Sequence, residues 1–154
     1  MSLFQKAVET KYLNESDSVL IDQKYQDFQE YFGNLEIQKN IRNAKEEQFQ
    51  EGFLRELFVS ILGYTLYPHP DFNLTTELKN LDNSKKADGV IFASAMEHAP
   101  PVLAVIELKG TDTTDLDKIE TQAFGYKNHH PQCKYVITSN FEKLRFYIQN
   151  AVDH

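Results

Sequence analysis

Charged residues stand inside two apolar segments of this chain. The segment KADGVIF, residues 86–92, contains Asp88, and the segment VLAVIELKG, residues 102–110, contains Glu107 and Lys109. Both segments are rich in the apolar and β-branched residues typical of buried strands, where an unpaired charge is costly. Because side chains alternate along a strand, Glu107 and Lys109 face the same side, and pairing of the two strands would bring all three charges together.

This combination of groups indicates a particular chemistry. Two carboxylates and the backbone carbonyl of Leu108 would form an oxygen-rich site of the kind that suits Mg²⁺. A bound Mg²⁺ polarises a phosphoryl oxygen and lowers the pKa of a bound water, and a lysine beside it orients that water or stabilises the developing charge. The pattern therefore favours phosphodiester hydrolysis. The alternative is an ordinary ion pair of Glu107 and Lys109 at a strand end, because Asp followed at a distance by Glu-x-Lys is a loose pattern.

A helix before the strands offers a fourth charged group. The apolar periodicity predicts one long helix over residues 39–62, ending at Gly63. Glu46 falls on the apolar stripe of this helix, and Glu47 lies at its margin. Either the stripe has ended before Glu46, or Glu46 reaches the metal and holds a water on the ion or a second metal.

A later helix, predicted over residues 114–129 and capped by Thr113 or Thr114, offers two more polar groups. Gln122 and Tyr126 are four residues apart and share one face. They could reach a phosphate at the site, or they could form a plain helix surface with Tyr126 half-buried.

The remaining pattern predicts an α/β fold with a mixed β-sheet flanked by helices, an αβββαβ core preceded by an extra N-terminal helix. That extra helix covers residues 17–32. We expect a helical extension over residues 1–38 and the main domain over residues 39–154. The strands are predicted at 75–81, 87–92, 102–109, 133–140 and 143–148, with a turn at 81–86, a connection at 93–101 and a tight turn at Asn140-Phe141-Glu142.

Composition limits the class of protein. The chain has 154 residues, of which 41% are hydrophobic, enough for one globular core. The formal net charge of -7 argues mildly against a free-standing nucleic-acid binder but not against an enzyme that acts on nucleic acid. The sequence predicts no membrane span and no secretory signal, and its one cysteine suits a reducing compartment. We therefore expect a cytoplasmic protein.

Other reactive side chains carry weaker signals. His69, His129 and His130 form no spaced metal set, so we interpret them as loop residues, and Cys133 as a packing residue. Several lysines either flank a DNA path or lie on a solvated surface: Lys79, Lys85, Lys86, Lys118 and Lys127.

Three motifs together resemble the PD-(D/E)xK nuclease superfamily, the last of them its RecB-type branch: Asp88, Glu107-Leu108-Lys109 and Gln122-x-x-x-Tyr126. Over roughly residues 40–150 the chain is also similar to the N-terminal nuclease region of Type IIG restriction–modification enzymes, through the segments EEQFQEGFLRELFVSILGY, KADGVIF, AVIELKG, QAFGYKN and YVITSNFEKLRFYI. One departure is Ala87, which stands where the superfamily motif has proline.

The resemblance implies a restriction-endonuclease-like fold and metal-dependent cleavage of double-stranded DNA. It implies Mg²⁺, with Mn²⁺ as a substitute. It implies these roles: metal binding by Asp88, Glu107 and the Leu108 carbonyl; assistance to the attacking water by Lys109; a helix acid at Glu46, or Glu47 if the alignment shifts by one; and accessory phosphate contacts by Gln122 and Tyr126.

It also implies partners. The chain would be a fragment of a longer protein in which methyltransferase and target-recognition domains follow, with S-adenosylmethionine bound only by the downstream domain. Cutting both strands with one site per chain favours a homodimer. Two other interpretations stay open: a non-catalytic nuclease-fold scaffold that positions DNA, and a structure-specific repair or junction nuclease.

Overall fold

The first half of the molecule is helical. The computed structural model describes residues 4–79, 86–93 and 100–148, with the backbone alone for residues 77–79. No helix in these ranges is long and apolar enough to cross a membrane. The helices before the sheet are α1 (Lys6–Glu15), α2 (Ser18–Phe32), α3 (Leu35–Asn43) and α4 (Glu46–Phe53), and α4 continues into a π-helix (Leu54–Ile61).

Side chains at the helix starts explain two of these boundaries. Asp17 accepts hydrogen bonds from the backbone N–H groups of Val19 and Leu20, which begins α2. Asn34 caps α3 in the same way. The predicted helix over residues 17–32 is therefore confirmed. The expected boundary between residues 38 and 39 falls within α3, and the division into two parts stays a prediction.

The prediction of one helix over residues 39–62 is wrong. Extended backbone at Ala44 and Lys45 separates α3 from α4, and the side chain of Gln48 accepts the N–H of Lys45 at 2.7 Å. Apolar periodicity could not show this break, because the stripe continues across it while the start signal comes from a single polar side chain. Gly63, at φ +80°, ends the π-helix as predicted.

The sheet has five strands in sequential order, β1-β2-β3-β4-β5. All neighbours pair antiparallel except β3 and β4, which are parallel and joined through helix α5. The predicted α/β class, with a mixed sheet flanked by helices, is confirmed. The bounds are β1 (Leu74–Lys79), β2 (Lys86–Phe92), β3 (Val102–Leu108), α5 (Asp117–Asn128), β4 (Tyr135–Ser139) and β5 (Leu144–Ile148).

Alternation along β3 divides the core into two. Ile106 and Leu108 face the layer of α3, α4 and the π-helix, where they pack with residues such as Phe53. Val105 faces α5 and packs against Tyr126. By the same alternation, the side chain of Glu107 lies on the same face of the sheet as Val105, which is the face covered by α5.

Two boundaries near α5 differ from the prediction. The helix covers Asp117–Asn128, and its N-cap position is Leu116, which has no capping side chain, so neither Thr113 nor Thr114 caps it. The reason is that the N–H of Thr113 donates to the carbonyl of Gly110, which holds Thr113 in a turn before the helix. The side chain of Asp115, not that of a threonine, accepts the N–H of Asp117.

The β4–β5 turn occurs where it was predicted. Phe141 has φ +69°, and Asn140 Oδ1 accepts the N–H of Lys143 at 2.8 Å. Of the predicted turn at 81–86 only Lys86 lies among the described residues, and it belongs to β2. Residues 94–99 of the connection predicted at 93–101 lie outside them.

Candidate active site

A buried carboxylate lies near the end of β3. Glu107 is only 1% exposed. Its Oε1 accepts hydrogen bonds from Lys109 Nζ at 2.9 Å and from Gln122 Nε2 at 2.6 Å. Its Oε2 is buried and has no hydrogen-bond partner among the described residues. A buried oxygen without a partner costs free energy, and a bound ion or water is one way to satisfy it.

The second acid stands on the neighbouring strand. Gly89 of β2 pairs with Ile106 of β3, and extending this antiparallel register by one residue puts Asp88 opposite Glu107. Asp88 Oδ2 accepts the backbone N–H of Leu108 at 2.7 Å. This bond holds the Asp88 carboxylate at the end of β3. The predicted pairing of the two strands is confirmed.

The amine comes from the residue just after β3. The backbone N–H of Lys109 donates to the carbonyl of Ser139 at 2.9 Å, which continues the β3–β4 ladder and fixes the direction of the side chain. Lys109 Nζ then contacts two acids, Glu107 Oε1 at 2.9 Å and Glu46 Oε1 at 3.4 Å. The amine therefore lies between a strand carboxylate and a helix carboxylate.

Glu46 is brought to this cluster by the break that begins α4. It is the first residue of α4. Besides the contact with Lys109, its Oε2 accepts the N–H of Gly110 at 3.3 Å and its Oε1 accepts from Gln50 at 3.1 Å. Glu47 is exposed. Of the two adjacent acids, Glu46 is the one that contacts Lys109 and Gly110 at the end of β3.

Helix α5 supplies the amide that touches Glu107. Gln122 Nε2 lies 2.6 Å from Glu107 Oε1 and 3.0 Å from the hydroxyl of Tyr126. Tyr126 is buried rather than half-buried. The prediction that these two residues share one face is confirmed, and that face meets the end of β3. Gln122 itself is exposed, so it borders the site on its solvent side.

The electrostatics follow from burial and crowding. Burial, and then the negative charge of Asp88, raise the pKa of Glu107 to about 7, although the hydrogen bond from Lys109 opposes the shift. Burial alone would lower the pKa of Lys109, but the hydrogen bond and charge of Glu107 outweigh it and raise that pKa. Burial also raises the pKa of Tyr126. The site therefore keeps a charged amine beside a carboxyl that ionises near neutral pH.

The oxygen atoms suit a hard divalent cation. Of the predicted donors, which are Asp88, Glu107 and the carbonyl of Leu108, Glu107 offers a buried Oε2 without a hydrogen-bond partner in the described residues, the atom that a cation would favour most. In the described ranges, no three or more His, Cys, Asp and Glu side chains are grouped to hold a metal ion. A cation here would therefore take two carboxylates and fill its other positions with the carbonyl and water, as Mg²⁺ commonly does.

One neighbour of the site was missed from the sequence. Thr138 of β4 pairs with Glu107 in the parallel register. Its hydroxyl is buried and, within the described part of the chain, has no hydrogen-bond partner. The available signal was the alternation in YVITSN, where Val136 packs toward α5 and Thr138 must face the same way.

Two glycines directly follow charged residues of the cluster, Gly89 after Asp88 and Gly110 after Lys109. A Cβ at Gly89 would lie 3.2 Å from Ile106 and 3.3 Å from Leu54. A Cβ at Gly110 would lie 2.8 Å from the carboxylate of Asp112. Gly89 is therefore closely packed against Ile106 and Leu54, whereas the neighbour of Gly110 is the end of a side chain that can move aside.

The remaining candidates differ in burial. His130 and Cys133 are buried, as is Lys127, so a solvated surface is the wrong interpretation of that lysine. The helix turns Lys127 inward together with its neighbour Tyr126. Lys86 and Lys118 are exposed. The side chain of Lys79 and all of Lys85 lie outside the described residues.

Comparisons with protein-family models, with curated proteins and with solved structures found no significant match to this chain.

Proposed function

We propose that this chain is a metal-dependent DNA endonuclease domain of the PD-(D/E)xK type, with a restriction-endonuclease-like fold, from a restriction–modification enzyme. One observation carries the proposal. Lys109 contacts Glu107 and Glu46, and Asp88 faces Glu107 from the next strand, so that three acids from three elements meet one amine.

Each residue of the site has its own role in the proposed phosphodiester hydrolysis. In the reaction, a water oxygen forms a bond to phosphorus on the side opposite the leaving oxygen, whose bond to phosphorus breaks and which receives a proton. Lys109 donates hydrogen bonds to the attacking water or to the phosphoryl oxygen, and stabilises the negative charge that grows there. A Mg²⁺ ion bound by Asp88, Glu107 and the Leu108 carbonyl would polarise the phosphoryl group and lower the pKa of a bound water.

Glu46 and Gln122 keep this arrangement in place. Glu46 holds the amine on its α4 side and fastens the Gly110 backbone. Gln122 anchors Glu107 Oε1 and the hydroxyl of Tyr126, which leaves Glu107 Oε2 for the cation. We place the exposed amide edge of Gln122 toward the DNA backbone.

The partners belong to the same proposal. The substrate is double-stranded DNA in the cytoplasm. Methyltransferase and target-recognition domains of a longer chain supply sequence specificity, and S-adenosylmethionine binds to the methyltransferase. Mn²⁺ replaces Mg²⁺ because it accepts the same oxygen ligands.

Cleavage of supercoiled plasmid tests the proposal. The chain should nick or linearise DNA with Mg²⁺ or Mn²⁺ and not with EDTA, and Asp88→Asn, Glu107→Gln and Lys109→Ala should each reduce the rate by more than roughly a hundredfold. Glu120→Gln, on a glutamate outside the cluster, is the matched control and should cut at the parental rate. Cleavage that persists in Glu107→Gln would overturn the role of that residue. Activity on branched or single-stranded DNA alone would favour a structure-specific nuclease.

A second candidate is a non-catalytic nuclease-fold scaffold that positions DNA. Lys109 already contacts Glu107 Oε1, and the N–H of Leu108 already donates to Asp88, so each acid has one internal partner. Isothermal titration with Mn²⁺ separates the two functions. An enzyme should bind Mn²⁺ in a way that Asp88→Asn weakens at least about tenfold, whereas a scaffold should show no binding that depends on these carboxylates.

A further inference from the structure

Helix α1 lacks the packing that a helix of its length requires. It has ten residues, none of them buried, and no side chain caps its N-terminus. An isolated helix shorter than about 12–15 residues is marginal in water. Yet α1 carries Val8 and Tyr12 four residues apart on one face, with Leu13 beside them, and all three are exposed. The helix has an apolar surface and no cover for it within the described residues.

A second apolar surface of the same chain is a groove. It lies between α2, α3 and the β4–β5 turn and has a volume of about 750 Å³. Apolar residues of α2 form one wall of the groove, and one of them, Phe32, packs against Phe53 of α4 in the core. No residue of α1 lines the groove. The apolar residues that line it include Tyr25, Phe28, Phe32, Ile41, Phe141 and Leu144.

The exposed apolar area fits an interface between two chains. Six apolar side chains on α1 and along the groove are between 38% and 67% exposed: Val8, Tyr12, Leu13, Tyr25, Phe28 and Leu144. At about 200 Å² for a large apolar residue, the six expose roughly 600 Å². Specific protein–protein interfaces bury about 600–1,000 Å² on each partner.

Each chain has a formal net charge of -7, but the charges near α1 and the groove do not prevent a second copy from approaching these two surfaces. In α1 the charges of Lys6 and Lys11 balance those of Glu9 and Glu15. The rim of the groove contains Arg42 and Lys143 as well as Glu142, of which Arg42 and Glu142 already form an ion pair. Neither surface concentrates one sign of charge, so like-charge repulsion does not oppose their contact.

We propose that the chain forms a symmetric dimer in which α1 of each copy lies in the α2–β5 groove of the other. This is helix-in-groove recognition, used twice around a two-fold axis. It does not depend on nuclease activity, because neither surface contains a residue of the acid–lysine cluster.

Sedimentation equilibrium of the 154-residue chain tests the dimer with three leucine-to-glutamate variants. Leu13→Glu changes α1, Leu144→Glu changes the groove, and Leu62→Glu, at a leucine 54% exposed at the end of the π-helix, is the matched control. The parent should be dimeric at micromolar concentration. The first two variants should each weaken the dimer by at least roughly tenfold, and the control by less than about twofold.

Mixing the two variants tests the exchanged arrangement itself. A heterodimer of Leu13→Glu and Leu144→Glu keeps one intact contact, the unchanged α1 of the second chain in the unchanged groove of the first. The mixture should therefore associate more tightly than either variant alone. A parent chain that is monomeric at about 100 µM, equal weakening by Leu62→Glu, or no gain on mixing would each overturn the proposal. Circular dichroism checks folding, and Tyr25→Glu replaces Leu144→Glu if that variant unfolds.

Discussion

Lys109 Nζ lies 2.9 Å from Oε1 of Glu107, two residues earlier at the end of β3. The two side chains face the same way because of strand alternation, and the pair is mostly shielded from water: the side chain of Glu107 is 2% exposed and that of Lys109 24%. Screening by solvent is weak at such depth, so the attraction between the two charges exceeds that in a surface ion pair, while burial also removes the hydration of both charges. The amine of Lys109 also contacts Glu46, which belongs to α4 in the helix layer on the other face of the sheet.

Glu46 and Glu47 provide an internal comparison of two adjacent acids. Glu46→Gln should reduce DNA cleavage by roughly tenfold to a hundredfold, because it weakens the hold on Lys109 and on Gly110 N–H. Glu47→Gln should leave the rate within about twofold, since the Glu47 side chain is exposed. Rates on plasmid DNA at saturating Mg²⁺ measure both. Equal losses in the two variants would show that the contacts of Glu46 do not matter for cleavage.

The pKa of Glu107 predicts how stability depends on pH in metal-free buffer. Its folded-state pKa is about 7, above the ordinary value of 4.5. Between these values the folded chain holds a proton that the unfolded chain has released, so the free energy of unfolding falls as pH rises through this window. The loss attributable to Glu107 is roughly 3 kcal/mol between pH 4 and pH 8.

Glu107→Gln removes this titration. Urea unfolding with EDTA at several pH values should show that the variant gains stability relative to the parent as pH rises from about 4.5 to 7. The difference should then stay level above about pH 8. Parallel stability curves for the two proteins would mean that Glu107 titrates normally in the folded state.

We predict that Gln122 acts by positioning Glu107. Gln122→Ala removes the 2.6 Å hydrogen bond to Glu107 Oε1. We expect cleavage to fall about tenfold and the pH at half-maximal rate to change, because one stabilising contact of the carboxylate is lost. Thr121→Ala, at the exposed preceding residue, should change neither. A lower rate with an unaltered pH profile would argue against the positioning role.

Two glycines predict opposite changes in stability. Gly89→Ala forces a Cβ to within 3.2–3.3 Å of Ile106 and Leu54, so it should lower the free energy of unfolding by about 1–3 kcal/mol. Gly125→Ala, in α5, meets nothing within 4 Å and should raise it by about 0.5–1 kcal/mol, because alanine is the better helix former. Thermal or urea unfolding measures both, and the same sign for the two substitutions would contradict the packing analysis.

The sequence by itself determined the order of helices and strands in the second half of the chain and the identity of the charged cluster on β2 and β3. It could do so because strand alternation and apolar runs are local properties, and because Glu107, Lys109 and Asp88 stand out against apolar neighbours. It also placed the β4–β5 turn, since Asn140 signals a turn through its own side chain.

Only the tertiary structure decided how these residues meet. The apolar stripe already favoured Glu46 over Glu47, but the break at Ala44 and Lys45, which begins α4 and brings Glu46 to Lys109, depends on a side-chain contact that a periodic pattern does not contain. The raised pKa of Glu107 and the place of Thr138 beside it depend on strand register. Register joins residues distant in sequence, so their burial and mutual charge exist only once the sheet has formed.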